Sequence, residues 1–262
     1  GMICERSGVV NIALEGLMGI GAFAAAAFHV LNEVALGGAS VWIALLVGAF
    51  CGMLMSLIHA FASISLNADQ TISGTGINLI VNGITIFMAQ ILFNADRTQP
   101  YQMGMKPIMS IGGIYPTAFI ALAVVLIVWF VMYKLPFGLR LRACGEHPQA
   151  AASVGIKVKK IRYIAVLTSG FLGGLAGGCL VLTQTIQFTS TTINGTGFIA
   201  LAAVSFGRWR PAGISLSSLL FGPAVAFSIY VVNIPSLKNL LPSEFFSLLP
   251  YVITIAALVV FS

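Results

Sequence analysis

Apolar runs recur along almost the whole of this chain, and several are near the roughly 20 residues that an α-helix needs to cross about 30 Å of hydrocarbon. They lie at Val9–Leu31, Val41–Ser63, Gly74–Phe93, Pro116–Tyr133, Tyr163–Leu182, Ala212–Val232 and Phe245–Phe261. A further run, Gly197–Phe206, is too short to cross as an ordinary helix. It reads as a broken or re-entrant segment, which survives at membrane depth only when packed against other helices. Glycine and proline punctuate most of the connections, as at Gly37-Gly38, Gly112-Gly113, Pro136, Pro211, Pro235 and Pro242. The expected fold is an all-α polytopic integral membrane protein. It has about seven full transmembrane helices plus one short or re-entrant segment, in a single transmembrane domain over residues 1–262.

Composition excludes the competing classes. Only 8% of the 262 residues are charged, too few to clothe a water-soluble surface. Mean hydropathy is +1.01. The basic residues are placed asymmetrically. Seven of the 13 lie between Lys134 and Arg162, and alternation of spans adds Arg6, Arg208 and Arg210 to that side, leaving Arg97, Lys106 and Lys238 on the other. Loops rich in lysine and arginine stay in the cytoplasm, so the segment 134–162 is expected there. The same bias accounts for the net charge of +6 without any nucleic acid. The first apolar run follows Glu5 and Arg6 with no signal-peptide pattern, and the last one stops at Ser262 with no basic anchor. Both ends therefore read as trimmed.

Catalytic chemistry finds no constellation. His29, His59 and His147 are dispersed, and Cys4, Cys51, Cys144 and Cys179 form no C-x-x-C pair, which argues against a metal or redox site. No phosphate-binding G-x-x-x-x-G-K-[ST] occurs, so a P-loop ATPase is not encoded here. A proton- or sodium-driven carrier needs ionisable groups within the membrane, and the candidates are Glu15 and Asp69. A carboxylate at a helix centre costs about 2.5–3.5 kcal/mol on insertion scales. Glu15 is either a helix-entry residue bonded to backbone or part of a pathway. Asn11 lies four residues before it, on the same helical face.

Neutral polar groups mark other candidate pathway positions. Asn78, Asn82 and Thr85 share one helical face. From Thr183 to Thr196, ten of fourteen residues are Thr, Gln, Ser or Asn, including Gln184 and Asn194, and Phe188 and Phe198 could stack on a planar ligand. Such groups would exchange hydrogen bonds with a neutral solute; equally, they join membrane helices or form an outer loop. Gly173, Gly174, Gly177 and Gly178 make overlapping small-xxx-small pairs, and Gly48 with Gly52 makes another. These suit close helix packing within the chain or toward a second one.

The segment Lys134–Arg162 is longer than an ordinary inter-helix connection. Pro148 suits a first helical turn, Gln149–Val154 mostly favour helix, and Gly155 suits the position just past a helix end. A helix of two turns is unstable alone in water, so it must dock, on its own membrane domain or on a cytoplasmic partner.

Three stretches resemble one family. They are Glu5-Arg6-Ser7-Gly8-Val9-Val10-Asn11-Ile12-Ala13-Leu14-Glu15-Gly16-Leu17-Met18, the loop Gly138-Leu139-Arg140 to Gly155-Ile156, and Gly197-Phe198-Ile199-Ala200-Leu201-Ala202-Ala203-Val204-Ser205-Phe206-Gly207-Arg208-Trp209. Together they resemble permease subunits of bacterial ABC importers that serve branched-chain amino acids, ribose-type sugars and nucleosides. The first stretch is most similar to the nucleoside permeases. The resemblance implies a non-enzymatic, multi-pass subunit of the bacterial cell membrane that moves nucleosides inward. It also implies a second permease, ATP-binding cassette subunits that hold ATP and Mg, and an extracellular substrate-binding lipoprotein. No cofactor is expected on this chain. By the same resemblance a coupling helix falls on Glu146 to Ile156, with Glu146, Ala150, Ala151 and Gly155 at the matching positions. A simple-sugar importer is the alternative. A branched-chain amino acid permease, an ATP-independent channel or carrier, and a membrane scaffold stand further back.

Overall fold

A computed structural model describes residues 1–102, 104–107 and 113–232, with side chains to Phe227. The described residues form helices and connecting turns, with no strand among them. The order is α1 (Met2–Arg6), α2 (Leu14–Leu36), α3 (Ala39–Ala60, its last turn widening to a π-turn at Phe61–Ser65), α4 (Gln70–Phe93) and α5 (Pro116–Lys134). Then follow α6 (Pro136–Glu146), α7 (Pro148–Ser153), α8 (Val158–Gln184), α9 (Thr196–Phe206) and α10 (Pro211–Val232). The helices α2, α3 with its π-turn, α4, α5 and α8 are long and apolar enough to span a bilayer. The run Gly197–Phe206 is the short helix α9, and Ala212–Val232 falls in α10. The run Phe245–Phe261 lies outside the described residues.

Several sequence boundaries move, α4 beginning at Gln70 rather than Gly74 and α8 at Val158 rather than Tyr163. The first span begins at Leu14 rather than Val9 and continues to Leu36. Gly8 takes a left-handed φ of +83°, which stops the helix after α1, and Val9–Ala13 stay non-helical although they are apolar. Hydropathy registers the apolarity and not the break. The segment 134–162, in turn, holds two helices rather than one. Proline at the first position of α6 supplies a helix start, and Leu141 and Cys144 bury its inner face.

The chain divides into two compact units, Gly1–Gly197 and Phe198–Ser262. The first is built on a tight trio of α2, α3 and α8. A Cβ on Gly174 would lie 2.3 Å from the Gly48 carbonyl oxygen and 3.0 Å from Gly52 Cα, and one on Gly21 would lie 2.3 Å from Gly174 Cα. Gly177 is as close to α2, 2.0 Å from the Met18 carbonyl oxygen. Gly173 and Gly178 differ, for their nearest neighbours are side-chain atoms at 3.3–3.4 Å. Backbone-to-backbone packing of this kind is how membrane helices associate when lipid is as apolar as leucine.

Away from the trio the surface is open. Only 22% of the apolar window of α4 and 11% of that of α5 is buried, so most of the perimeter of both helices is exposed. At the far end of α2 residues Tyr101, Gln102 and Met105 are clipped down. The Tyr101 N–H donates to the Ile186 carbonyl (3.0 Å), Met105 N–H to Leu182 (2.9 Å), and the Glu33 carboxylate accepts from Gln102 N–H at 3.0 Å. The Tyr101 hydroxyl reaches the carbonyls of Val181 and Thr185. Burial, with a smaller contribution from the Glu33 charge, pushes that phenol up to about 12, so it stays a donor at physiological pH.

In the second unit, α9 and α10 join through a turn in which Arg208 and Trp209 have φ of 50° and 53°. Phe206 packs edge-on to Phe221 with centroids 5.5 Å apart.

Candidate functional site: an unwound segment and a helical elbow

Where α2 has not yet begun, the backbone of residues 7–12 must find partners elsewhere, because unpaired N–H and C=O groups are costly away from water. Side chains from three helices supply them. Val10 N–H donates to Gln70 Oε1 (2.6 Å), and His59 Nε2 donates to the Val10 carbonyl (3.1 Å). The carbonyl partner fixes Nε2 as the donor, which lets Nδ1 accept from the Ser73 hydroxyl at 3.0 Å. Asn78 closes the gap at both ends, accepting from Gly16 N–H (2.8 Å) and donating to the Ile12 carbonyl (3.0 Å). On the other side Arg162 Nε donates to the Ser7 carbonyl at 3.1 Å.

Asn11 sits at the centre of this segment. It is fully buried, its Nδ2 donates to Ser169 Oγ at 2.9 Å, and its Oδ1 has no hydrogen-bond partner among the described residues. Ser169 is seven residues past Arg162 on α8, about 10 Å further along the helix.

Glu15, in the first turn of α2, accepts from two backbone donors far along the chain: Gly195 N–H to Oε1 at 2.6 Å and Gly197 N–H to Oε2 at 2.7 Å. Asn194 (φ 34°) and Gly195 (φ 84°) are left-handed, and in this turn the Gly195 and Gly197 N–H groups meet the carboxylate while Thr196 N–H between them donates to the Ile193 carbonyl at 3.0 Å. A Cβ on Gly197 would collide with Glu15 Cα at 2.5 Å. The Glu15 carboxylate is thus bonded to backbone remote in sequence and not to the neighbouring backbone that a helix-entry residue would use. Asp69 is likewise explained, since its carboxylate caps α4 by accepting from Ile72 N–H at 2.9 Å.

The other polar candidates scatter. Thr85 is buried and spends its hydroxyl on the Asn82 carbonyl (3.1 Å), while the Asn82 side chain is exposed. Gln184 and Asn194 are exposed. Thr189, Thr191 and Thr192 bond within their own turn. Phe188 is buried edge-on to Phe23 at 5.4 Å, and Phe198 is 46% exposed in the second unit. The sequence singled out Asn78 and Glu15 for polarity at depth; it missed His59 and Gln70, whose only signal was polarity near a span end.

The elbow is formed by α6 and α7. α6 ends at Glu146, His147 is extended, and α7 starts at Pro148. Glu146 therefore closes α6 and is not part of the short helix, a correction that follows from the break at His147. α7 ends as the sequence indicates. Gly155 has φ +83°, its N–H bonds the Ala152 carbonyl (3.0 Å) and Ile156 N–H bonds Ala151 (3.1 Å), the paired 5→2 and 6→1 bonds of a Schellman end. Ala151 is buried, whereas Ala150, Ala152, Ser153, Val154 and Gly155 are exposed, and Val154 is 75% exposed. Arg162 holds the elbow to the unwound segment, its Nη2 reaching the Cys144 carbonyl at 3.4 Å. A Cβ on Gly145 would strike the Arg6 carbonyl at 2.3 Å. Arg6 and Glu146 approach to 4.0 Å, but Glu146 is 71% exposed, and such a pair adds little in water. Among the described residues no group of three His, Cys, Asp or Glu side chains could hold a metal ion.

The described residues thus build a multi-pass helical membrane protein with a non-helical segment before α2 and a docked elbow at α6 and α7. The chain matches the branched-chain amino acid transport system permease component family over residues 1–258, and it belongs to that family. It is 44% identical to the guanosine ABC transporter permease protein NupQ of Bacillus subtilis, over 98% of this chain and 85% of that protein. Identity to the nucleoside ABC transporter permease protein NupC of Lactococcus lactis is 40%, over 100% of this chain and 86% of that one. The putative glucose ABC transporter permease protein TsgC13 of Haloferax volcanii is 32% identical over 98% and 84%. No solved structure matches the chain.

Proposed function

We propose that this chain is the membrane-spanning subunit of an ATP-driven importer that carries nucleosides, purine nucleosides foremost, into the cell. The observation that carries the reading is the 44% identity to a guanosine permease and 40% to a nucleoside permease, each over essentially the whole chain. The sugar alternative rests on a relative at 32%. The chain itself performs no catalysis in this reading. ATP and Mg bind ATP-binding cassette subunits, a second permease packs beside this one, and an extracellular lipoprotein delivers the substrate. The protein sits in the bacterial cell membrane with about seven full spans plus α9, and with 134–162 in the cytoplasm.

The elbow is assigned to coupling. Its exposed face at Ala150, Val154 and Gly155 and the neighbouring Glu146 meet the ATPase, while Ala151 and Arg162 tie it to the membrane helices. Nucleotide can drive such a device only by favouring one permease conformation over another. Along the pathway in the first unit we assign substrate contact to Asn11, Asn82, Gln184 and Asn194. Glu15 and Asn78 hold the backbone that shapes it. Gly48, Gly52, Gly174 and Gly177 set helix spacing, with Gly173 and Gly178 at its margin.

The test is uptake of labelled guanosine and labelled ribose by cells expressing the complete set of subunits. Controls are an ATPase that cannot hydrolyse ATP and a Val154→Asp elbow variant. Guanosine uptake abolished by the first and reduced by the second supports the proposal. Ribose uptake alone moves the reading to sugars, and uptake indifferent to the ATPase overturns it.

A further inference from the structure

The α5–α6 corner carries cations that the elbow geometry does not use. α6 folds back tightly on the end of α5, since a Cβ on Gly138 would lie 2.3 Å from the Met132 carbonyl oxygen. Leu135 turns the corner in extended conformation between the two helices. This places Lys134, Arg140 and Arg142 around the last turn of an apolar helix. Two aromatic rings of α5 stand there half-open, Trp129 at 44% and Tyr133 at 40% exposed. Lys134 Nζ lies 5.7 Å from the centre of the Trp129 ring, and the Arg142 guanidinium 5.1 Å from that of Tyr133. Stacking of this kind holds a long cationic side chain in one place. Among the described residues none of the three cations is ion-paired.

The outer face of α6 is mixed. Leu139 is 65% exposed and adjoins exposed Arg140, while Leu141 and Cys144 face inward. A helix with an exposed leucine beside arginines, set at the end of a span, lies in the headgroup region, apolar side toward acyl chains. Tryptophan and tyrosine at a span end mark the same level. Guanidinium groups match phosphate oxygens in pairs.

We propose that the α5–α6 corner binds the headgroup of an anionic phospholipid, with Lys134, Arg140 and Arg142 on the phosphate and Leu139 against the acyl chain. The occupant is a lipid rather than a protein because three cations with no ion-pair partner among the described residues, Arg142 bonding only the Gly138 carbonyl at 3.4 Å, converge with two aromatic rings and an exposed leucine at the end of a helix that is largely exposed.

The full transporter complex, placed in phosphatidylcholine nanodiscs containing a minority of phosphatidylglycerol, is released into native mass spectrometry and its retained lipids are counted. Wild type retains phosphatidylglycerol in excess of its share. The triple variant Lys134→Gln/Arg140→Gln/Arg142→Gln abolishes that enrichment, since each cation near an anionic lipid surface strengthens association about fivefold, or about a hundredfold for three. The charge-keeping variant Arg140→Lys/Arg142→Lys retains most of it, which separates lost charge from lost fold. A control, Lys157→Gln/Lys159→Gln/Lys160→Gln, removes equal charge nearby and leaves the enrichment in place. Equal loss in both triple variants, displacement of the lipid by inorganic phosphate, or crosslinking of a photoreactive residue at 139 to the second permease instead of lipid would overturn the proposal.

Discussion

Substituting Gly174 by alanine tests the central packing directly. The new Cβ would lie 2.3 Å from the Gly48 carbonyl oxygen, where ordinary contact begins at 3.4 Å, so α8 and α3 must part by about 1 Å at that level or bend locally. A gap of that size forfeits a quarter to a half of each dispersion contact along the seam, and overpacking a tight interior costs about 1–3 kcal/mol. Alanine returns up to about 1 kcal/mol through better helix propensity. The balance is a net loss of about 1–2 kcal/mol, or roughly 2–8 °C in melting temperature for a chain of this size.

The control sits one residue away. A Cβ on Gly173 meets side-chain atoms at ordinary contact distance, Leu17 Cβ at 3.4 Å and Leu14 Cδ2 at 3.9 Å, so Gly173→Ala is expected to be neutral or slightly stabilising. Gly83→Ala, with nothing within 4 Å on open α4, should behave likewise. Thermal unfolding of the detergent-purified complex, followed by fluorescence-detected size exclusion, ranks the three. A Gly174→Ala protein as stable as Gly173→Ala would refute the reasoning.

Four further outcomes follow. Asn78→Leu strands the Gly16 N–H and the Ile12 carbonyl, each costing about 1–3 kcal/mol, whereas Asn82→Leu, on an exposed position, leaves the melting temperature unchanged. Glu15→Gln turns one acceptor into a donor facing Gly195 or Gly197 N–H; stability falls by about 1.5–3 kcal/mol, read by the same melt. Gly155→Ala strains a left-handed residue by about 1 kcal/mol, and guanosine uptake drops severalfold at unchanged surface expression. Burial pushes the Cys4 thiol up to about 12, so at pH 8 about one in ten thousand is thiolate against roughly a quarter for a free cysteine. Maleimide labelling of Cys4 is therefore negligible at pH 8 in the folded complex and rapid once it is unfolded.

The sequence was legible wherever one residue decides a local outcome. Pro148 and Gly155 bracket α7 because ring closure and the absence of a Cβ act without help from the rest of the fold. The spans were legible because hydrocarbon demands apolar length. The start of α2 was not, since Val9, Val10 and Ile12 suit a buried helix and a buried non-helical segment equally. What separates the two is whether His59, Gln70 and Asn78 arrive to satisfy the backbone, which is a long-range event. Glu15 showed the same limit: its cost could be read in the sequence, its partners at Gly195 and Gly197 could not. Neighbouring glycines Gly173 and Gly174 look alike in the pattern, yet the register of α8 gives only Gly174 a backbone neighbour.

The interrupted stretch before α2 also sets an order of assembly. Its carbonyl at Ser7 is satisfied by Arg162, and Asn11 by Ser169, more than 150 residues later in synthesis. While α3, α4 and α5 leave the ribosome, those first residues carry polar groups that the bilayer interior cannot satisfy. They must wait at the interface, in the insertion machinery or against a chaperone until α8 arrives. Residues 7 and 11 are thus among the last of the first unit to settle, and a chain stalled before α8 leaves the Ser7 carbonyl and the Asn11 amide without these partners.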